Sequence, residues 1–149
     1  MPKGSVVKMR NAYVAAGTPH SRHMLQEWEH NLRVDATTAM NGREPSTSCI
    51  RFMCEFQMPV PKTTIRKDQL GWLGHTKKPD VDKLLRAVLD ALTGIVWVDD
   101  SQVAFATANK TFAWNGRPGA HIIIDFWSDE VLQQFADSHR RVTDAMESL

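Results

Sequence analysis

The sequence predicts an α+β fold for residues 1–149, arranged as a single domain in which a small mixed β-sheet is flanked by helices. Two kinds of periodicity support this prediction. Residues 49–60 alternate between apolar and polar side chains, as a strand with one buried face does. Residues 82–92 instead repeat leucine and valine at helical spacing. Further helical and strand patterns follow without an internal repeat, which favours an α+β domain over a repeat array.

The residues before the first predicted strand suggest a basic arm and a helix. Residues 1–20 carry lysine, arginine, glycine and proline without a clear period, and we expect a flexible or extended arm. Ser21 is a suitable N-cap for a helix that continues to about Met40. Residues 41–48 are rich in turn-forming glycine, proline and serine, which predicts a loop.

A long basic segment, residues 61–79, follows the predicted strand. It contains five lysines and arginines, two prolines and two glycines, and it has no regular period. Loops of this length inside compact domains usually serve a function. We therefore expect a mobile basic loop.

The second half of the chain predicts one more helix-strand unit, two strands and a closing helix. The elements are a helix from Asp82 to about Leu92 that stops at Gly94, a short apolar strand at 95–98, strands at 101–114 and 120–127 around a turn, and an amphipathic helix from Asp129 onward.

Composition and charge indicate a globular protein with a polyanionic partner. The net charge is only +1, but residues 1–86 hold 14 Lys/Arg against 8 Asp/Glu, and residues 87–149 hold 4 against 9. A basic segment of this kind suits a polyanion. The apolar runs are far shorter than the ~20 residues of a membrane span, and the first residues lack the apolar core of a signal peptide. We expect a cytoplasmic protein that is not bound to a membrane.

The two cysteines, Cys49 and Cys54, lie on one predicted strand at an odd separation. Successive strand residues point to opposite faces of a sheet. We therefore expect two reduced thiols, without a disulfide and without zinc.

Acidic residues flank the leucine-rich helix at both ends. Asp80 and Asp82 stand at its start, and Asp99 and Asp100 follow the short strand behind it. A returning strand rises ~3.3 Å per residue against ~1.5 Å for a helix, so four or five extended residues bring the two pairs close together. Clustered carboxylates favour a hard cation such as Mg²⁺ or Mn²⁺. Helix capping by the first pair and turn formation by the second are the structural alternatives.

Arg86 follows Asp82 by one helical turn and precedes Asp90 by another. Beside a metal site, its charge would stabilise a phosphorane-like transition state, which predicts metal-assisted phosphodiester hydrolysis. The structural alternative is a row of exposed ion pairs, each worth about 0.2–0.5 kcal/mol.

The stretch HTKKPDVDKLLRAVLDALTGIVWVDDSQV, from His75 to Val103, resembles the RusA-type Holliday-junction resolvases, endodeoxyribonucleases common in phages and prophages. The likeness rests on the histidine, the Lys-Pro-Asp-x-Asp run, the Asp-Ala-Leu helix and the Asp-Asp-Ser-Gln-Val run. Lys110 matches a lysine on a later strand of the family, and EWEHNL and FQMPVPK upstream are also similar. Two residues depart from the pattern: Lys83 replaces an asparagine, and Arg86 replaces a common lysine.

The resemblance implies a homodimeric nuclease that uses Mg²⁺, with Mn²⁺ as a substitute, and cuts four-way DNA junctions by paired nicks in recombination and repair. It implies no nucleotide cofactor, and it suggests the cytoplasm of a bacterium or a phage-infected host. The implied catalytic residues are Asp80, Asp82, Asp100 and Arg86, and the implied metal ligands are Asp80, Asp82, Asp100 and Asp99. The predicted DNA contacts are Lys62, Arg66, Lys67, Trp72, His75, Lys77, Lys78, Lys83 and Lys110.

Other interpretations are open at this stage. A catalytically silent protein with the same fold would bind branched DNA without cutting it. Phosphotransfer through an aspartate is a weaker hypothesis, because such aspartates end a hydrophobic strand and residues 75–79 are not one. Trp72 would stack on an opened base step or pack against the core, and the lysines would contact phosphate or only solvent.

Overall fold

The computed structural model describes residues 6–12, 22–61, 72–113 and 117–148, and it has the predicted α+β architecture. The elements are β1 (Val6–Ala12), α1 (Arg22–Met40), β2 (Cys49–Met58), α2 (Val81–Leu92), a 3₁₀ turn (Asp100–Gln102), β3 (Val103–Phe112), β4 (Gly119–Trp127) and α3 (Asp129–Glu147). None of the helices in these ranges is long and apolar enough to cross a membrane.

The four strands form one mixed sheet in the order β1-β4-β2-β3. Strand β4 is antiparallel to both β1 and β2, whereas β2 and β3 are parallel neighbours. Parallel neighbours need a crossover connection, which is usually a helix. Here α2 lies in that crossover, and the prediction of a mixed sheet flanked by helices is confirmed.

The core lies between one face of the sheet and helices α1 and α2. Every second residue of β2 and of β4 is buried on this face, as the period of a half-buried strand requires. The two helices contribute buried side chains at spacings of three and four. These are Trp28, Leu32, Ala36 and Met40 from α1, and Leu84, Val88, Ala91 and Leu92 from α2.

The other face of the sheet is partly covered by α3. Phe105 of β3, Trp127 of β4 and Phe135 of α3 pack as a triangle of rings with centroids 5.0–5.1 Å apart. Arg51 lies over the Trp127 ring at 5.7 Å and forms an ion pair of 2.7 Å with Asp125 across the β2–β4 pairing. No residue of α3 is fully buried, and the ring contacts of Phe135 with Phe105 and Trp127 attach this helix to the sheet. The Arg51 contacts lie within the sheet, between β2 and β4.

The predicted boundaries of α2 are confirmed. Asp80 is the N-cap residue, and the helix ends at Leu92 with Thr93 as C-cap. Gly94 follows with a φ of +83°, a conformation that glycine adopts without steric cost. This glycine lets the chain leave the helix and turn back along it.

The predicted strand at residues 95–98 is wrong. The N–H groups of Ile95 and Val96 both donate to the carbonyl of Leu92, at 3.1 and 2.9 Å. These bonds tie the first half of the segment to the end of α2, so the residues form a turn. Only isolated bridges remain, from Trp97 to Ser46 and to Thr93.

The strands predicted at 101–114 and 120–127 are confirmed as β3 and β4, but they are not neighbours, because β2 lies between them. The predicted turn between them includes residues 115 and 116, which lie outside the described residues. Strand β2 is buried on one face and half-buried on the other. It therefore occupies an interior position with a partner on each side, whereas β3, whose first eight residues are half-buried or exposed, takes the edge.

The N-terminal arm contains a strand that the sequence did not predict. Residues Val6–Ala12 pair with β4 as the outer strand β1. Val7 and Met9 alternate with Lys8 and Arg10, a strand period that the prediction of an arm did not take into account. The rest of the predicted arm, Ser21 and residues 62–71 of the basic loop lie outside the described residues.

Both cysteines are free thiols. Cys54 is buried and Cys49 is half-buried, in agreement with their predicted positions on opposite faces of β2. Burial raises the pKa of the Cys54 thiol above its usual range, so this residue acts as a small apolar core side chain.

We expect Trp97→Ala to destabilise the fold by about 3–5 kcal/mol, because it empties a fully buried site. The Trp97 indole N–H donates to Thr93 Oγ1 at 3.0 Å, and the ring meets Phe52 edge-on at 6.2 Å. The free energy of unfolding in urea measures the loss. Val98→Ala, at the exposed neighbouring position, is the control and should change it by less than about 0.5 kcal/mol. Equal values for the two variants would contradict this prediction.

Candidate functional site

The polar face of α2 borders a surface depression of about 300 Å³. Its lining residues are Asp82, Leu85, Arg86, Leu89, Asp90 and Asp100. Five of them come from three successive turns of α2, and Asp100 comes from the 3₁₀ turn before β3. The structure thus brings together one aspartate from each of the two acidic pairs that flank the helix in sequence.

Asp99 and Asp100 have different positions in the 3₁₀ turn. Asp99 is its N-cap, and its side chain accepts a hydrogen bond from the Ser101 N–H at 2.8 Å. Hydrogen bonds from Ser101, first from its side chain and then from its backbone N–H, lower the pKa of the exposed Asp99 carboxyl below its ordinary value. Asp99 does not line the depression, whereas Asp100 does.

Gln102 fixes this turn to the rest of the fold, a role that the sequence analysis did not assign. Its side-chain Oε1 accepts from the N–H groups of Val98 and Asp99, at 3.0 and 2.9 Å. Its Nε2 donates to the carbonyls of Ser46 and Ser48, both at 2.9 Å. The sequence signal was the Asp-x-x-Gln spacing of a capping box, which here holds Asp100 at a fixed place above α2.

Asp80 is the N-cap residue of α2, but its side chain makes no capping hydrogen bond. Its carboxylate instead lies 3.6 Å from the ammonium of Lys83, and both side chains are largely exposed. An exposed pair of this kind contributes about 1 kcal/mol or less. Asp80 stands outside the lining of the depression.

The acidic residues do not form a closed metal cage within the described ranges. No three Asp, Glu, His or Cys side chains in these ranges are close enough to bind one metal ion together. Of the four predicted ligands, the depression brings together Asp82 and Asp100. Mg²⁺ is commonly held by one or two carboxylates together with water and substrate phosphates. Two aspartates on one open surface fit that kind of binding, so the metal site stays a prediction with these two residues as its most favourable pair.

Arg86 is exposed and lines the depression between Asp82 and Asp90 along the helix. Among the described residues, neither aspartate forms an ion pair with the Arg86 guanidinium. The row of exposed ion pairs that the sequence suggested as an alternative is therefore absent there. The guanidinium remains on the same surface as the two carboxylates.

The family model for endodeoxyribonuclease RusA matches residues 2–125, which is most of the chain. The chain belongs to the RusA endodeoxyribonuclease family. This confirms the resemblance found in the sequence, and the match includes every residue of the predicted site. Helix α3 lies beyond the matched region.

This RusA family member is also similar to an uncharacterized protein, YqaN, from Bacillus subtilis strain 168. The two are 36% identical over 61 aligned residues, which cover 37% of this chain and 43% of that protein. The alignment therefore spans less than half of that relative's length.

The predicted DNA contacts of this RusA family member fall into three groups. Lys62, Arg66 and Lys67 lie outside the described residues. Trp72 is 88% exposed, so it does not pack in the core, and Lys77, Lys78 and Lys83 are exposed near the start of α2. His75 and Lys110 are half-buried and contact other parts of the protein.

The end of the basic loop lies against β3. Gly74 forms an antiparallel bridge with Thr111, and the His75 N–H donates to the Lys110 carbonyl at 3.0 Å. The reason is that β3 is an edge strand with free backbone groups. The loop satisfies some of them before it enters α2.

The His75 ring packs edge-on against Phe112, with centroids 5.1 Å apart. Its Nδ1 is buried and has no hydrogen-bond partner in the described part of the chain. Burial lowers the pKa of His75, and the nearby charge of Lys110 lowers it further.

We expect NMR titration of the His75 ring to give a pKa below its ordinary value of 6.5. The unfolded chain then binds this proton more readily than the folded chain does. The free energy of unfolding should fall as the pH is lowered from 6.5 through the folded-state pKa, and this contribution levels off below it. His75→Gln is the control and should remove this part of the pH dependence. A His75 pKa at or above 6.5 would contradict the prediction.

Proposed function

We propose that this chain is a Mg²⁺-dependent endodeoxyribonuclease that resolves four-way DNA junctions by paired nicks in recombination and repair, with Mn²⁺ as a substitute. One observation carries the proposal. In a chain of the RusA endodeoxyribonuclease family, Asp82, Asp100 and Arg86 line the same depression. This combination of hard anionic ligands and a nearby cation suits metal-assisted phosphodiester hydrolysis.

The chemistry divides among the residues of the depression. Asp82 and Asp100 would hold the metal ion, because their carboxylates come from two different elements and approach one surface. A divalent ion bound by these carboxylates would supply a nucleophile at neutral pH and would offset negative charge on the leaving oxygen. Arg86 would bind the scissile phosphate, since its guanidinium presents several N–H donors to phosphate oxygens.

The two carboxylates stand on elements that are held firmly by the rest of the fold, as metal binding requires. Asp82 belongs to a helix whose opposite face is buried through Leu84 and Val88. Asp100 belongs to a turn that Gln102 fastens to the loop before β2. Catalytic groups on well-supported elements keep their geometry when the substrate binds.

Exposed basic residues near the start of α2 favour nucleic acid as the partner. Lys77, Lys78 and Lys83 lie at the start of α2, close in sequence to Asp82. Contacts of this kind with phosphates make binding fall steeply as the salt concentration rises. Trp72, which is 88% exposed, offers a ring on which an unpaired base could stack.

We also propose a homodimer as the active form. A four-way junction contains two scissile phosphates related by two-fold symmetry. A protein with the same symmetry presents one identical site to each of them. Paired nicks then follow from one binding event.

A second candidate function is a catalytically silent protein that binds branched DNA. One observation favours it: in the described ranges, no three potential metal ligands form a cluster. Both candidates predict binding to junctions. Only the nuclease predicts nicks that depend on Mg²⁺.

The decisive test is incubation of the protein with a labelled four-way junction and with linear duplex, with and without Mg²⁺. We expect Mg²⁺-dependent nicks in the junction, and a loss of rate on the order of 100-fold or more for Asp82→Asn and for Asp100→Asn, because each removes a metal ligand. Binding to the junction in Ca²⁺ should persist in both variants. Sedimentation of the same samples should show dimers.

Asp90→Asn is the matched control for this test. It removes the same charge from the same depression without removing a predicted ligand, so its rate should stay much closer to that of the unmodified protein. Binding without nicks in the unmodified protein would support the silent candidate. An unchanged rate in Asp82→Asn would contradict the metal-site assignment.

We expect Arg86→Ala to slow cleavage on the order of 100-fold, the usual loss when a donor to transition-state charge is removed. Junction affinity should change far less, and Arg86→Lys should recover part of the rate because it keeps the charge. Single-turnover cleavage and binding titrations measure the two effects. Equal losses of rate and affinity would place Arg86 among simple DNA contacts.

A further inference from the structure

Lys110 is tied to the backbone just before the depression. Its ammonium donates to the carbonyl of Lys77 at 2.7 Å and to the carbonyl of Pro79 at 2.6 Å. A lysine on an edge strand such as β3 ordinarily extends into solvent, where it opposes pairing with another sheet. This one instead uses two of its three N–H donors on one short segment of chain.

The segment it holds leads directly into α2. Pro79 precedes Asp80, whose carbonyl accepts the first bond of the helix from the Leu84 N–H at 3.2 Å. Together with the backbone bond from His75 to Lys110, these contacts fasten the approach to α2 onto β3. The direction in which α2 begins determines where Asp82 stands relative to Asp100.

We propose that Lys110 is a positioning residue: it holds the backbone of residues 77–79 and so fixes the start of α2, with Asp82 facing Asp100 across the depression. The sequence predicted Lys110 as a DNA contact, but the two short bonds to carbonyls occupy its ammonium within the protein. Its effect on cleavage rests on the proposed nuclease function. Its effect on the structure of the protein without DNA does not depend on that function.

The first experiment is amide hydrogen exchange on the full chain without DNA, comparing the unmodified protein with Lys110→Met. We expect exchange at the His75 and Leu84 amides to accelerate at least about tenfold, because the loss of both ammonium bonds frees the approach to α2. Lys78→Met is the matched control, since Lys78 is exposed in the same segment. It should exchange like the unmodified protein.

The second experiment measures cleavage and binding of a four-way junction by the same variants. Lys110→Met should lower the cleavage rate about 10- to 100-fold, the usual result of a displaced catalytic group. Its junction affinity and the salt dependence of binding should stay unchanged. Lys78→Met, at a predicted DNA contact, should instead weaken binding and reduce the salt slope by about 0.9.

The results separate the two proposals. Unchanged exchange in Lys110→Met together with a smaller salt slope would overturn the positioning role and make Lys110 a DNA contact. If the unmodified protein does not cut junctions, the nuclease function fails, while the exchange experiment still decides the role of Lys110. Lys110→Gln, a milder change that keeps a side-chain donor, gives the same comparison if Lys110→Met does not fold.

Discussion

The parallel pairing of β2 with β3 is the constraint on which the candidate site depends. Parallel neighbours cannot be joined by a tight turn, so the chain must cross from the end of one strand to the start of the next. Helix α2 makes this crossing and buries its apolar stripe in the core. Its polar face, with Asp82 and Arg86, is then left at the surface. The 3₁₀ turn that carries Asp100 must lie nearby, because it leads into β3.

Separate contacts hold the two sides of the depression. Gln102 fastens the Asp100 turn to the carbonyls before β2, and Lys110 holds the chain just before α2. Both are long polar side chains that bind backbone carbonyls, and these contacts link segments far apart in the sequence. The two members of the second acidic pair also differ in position: Asp99 caps the turn, whereas Asp100 faces the depression.

The open form of this depression suits the proposed Mg²⁺ site, in which the substrate would contribute ligands of its own. Two aspartates beside an arginine are too few to enclose a metal ion, but phosphate oxygens can complete the coordination of Mg²⁺. Exposed lysines near the start of α2 would bring such phosphates to the same surface. Helix α3 lies outside the family match and is attached to the opposite face of the sheet by aromatic rings. It takes no part in lining the depression.

The sequence by itself determined the features that depend on near neighbours along the chain: the three helices, strand β2, the stop at Gly94, and the family motif around Asp80–Asp82 and Asp99–Asp100. Periodicity and capping act over a few residues, so they can be recognised without a partner. Tertiary structure alone decided that β2 separates β3 from β4, that residues 95–98 turn instead of pairing, and that Val6–Ala12 joins the sheet edge. It also selected Asp82 and Asp100 from the two acidic pairs and turned Lys110 inward. These outcomes depend on contacts between residues that are far apart in the sequence. A pattern of neighbouring residues does not contain that information.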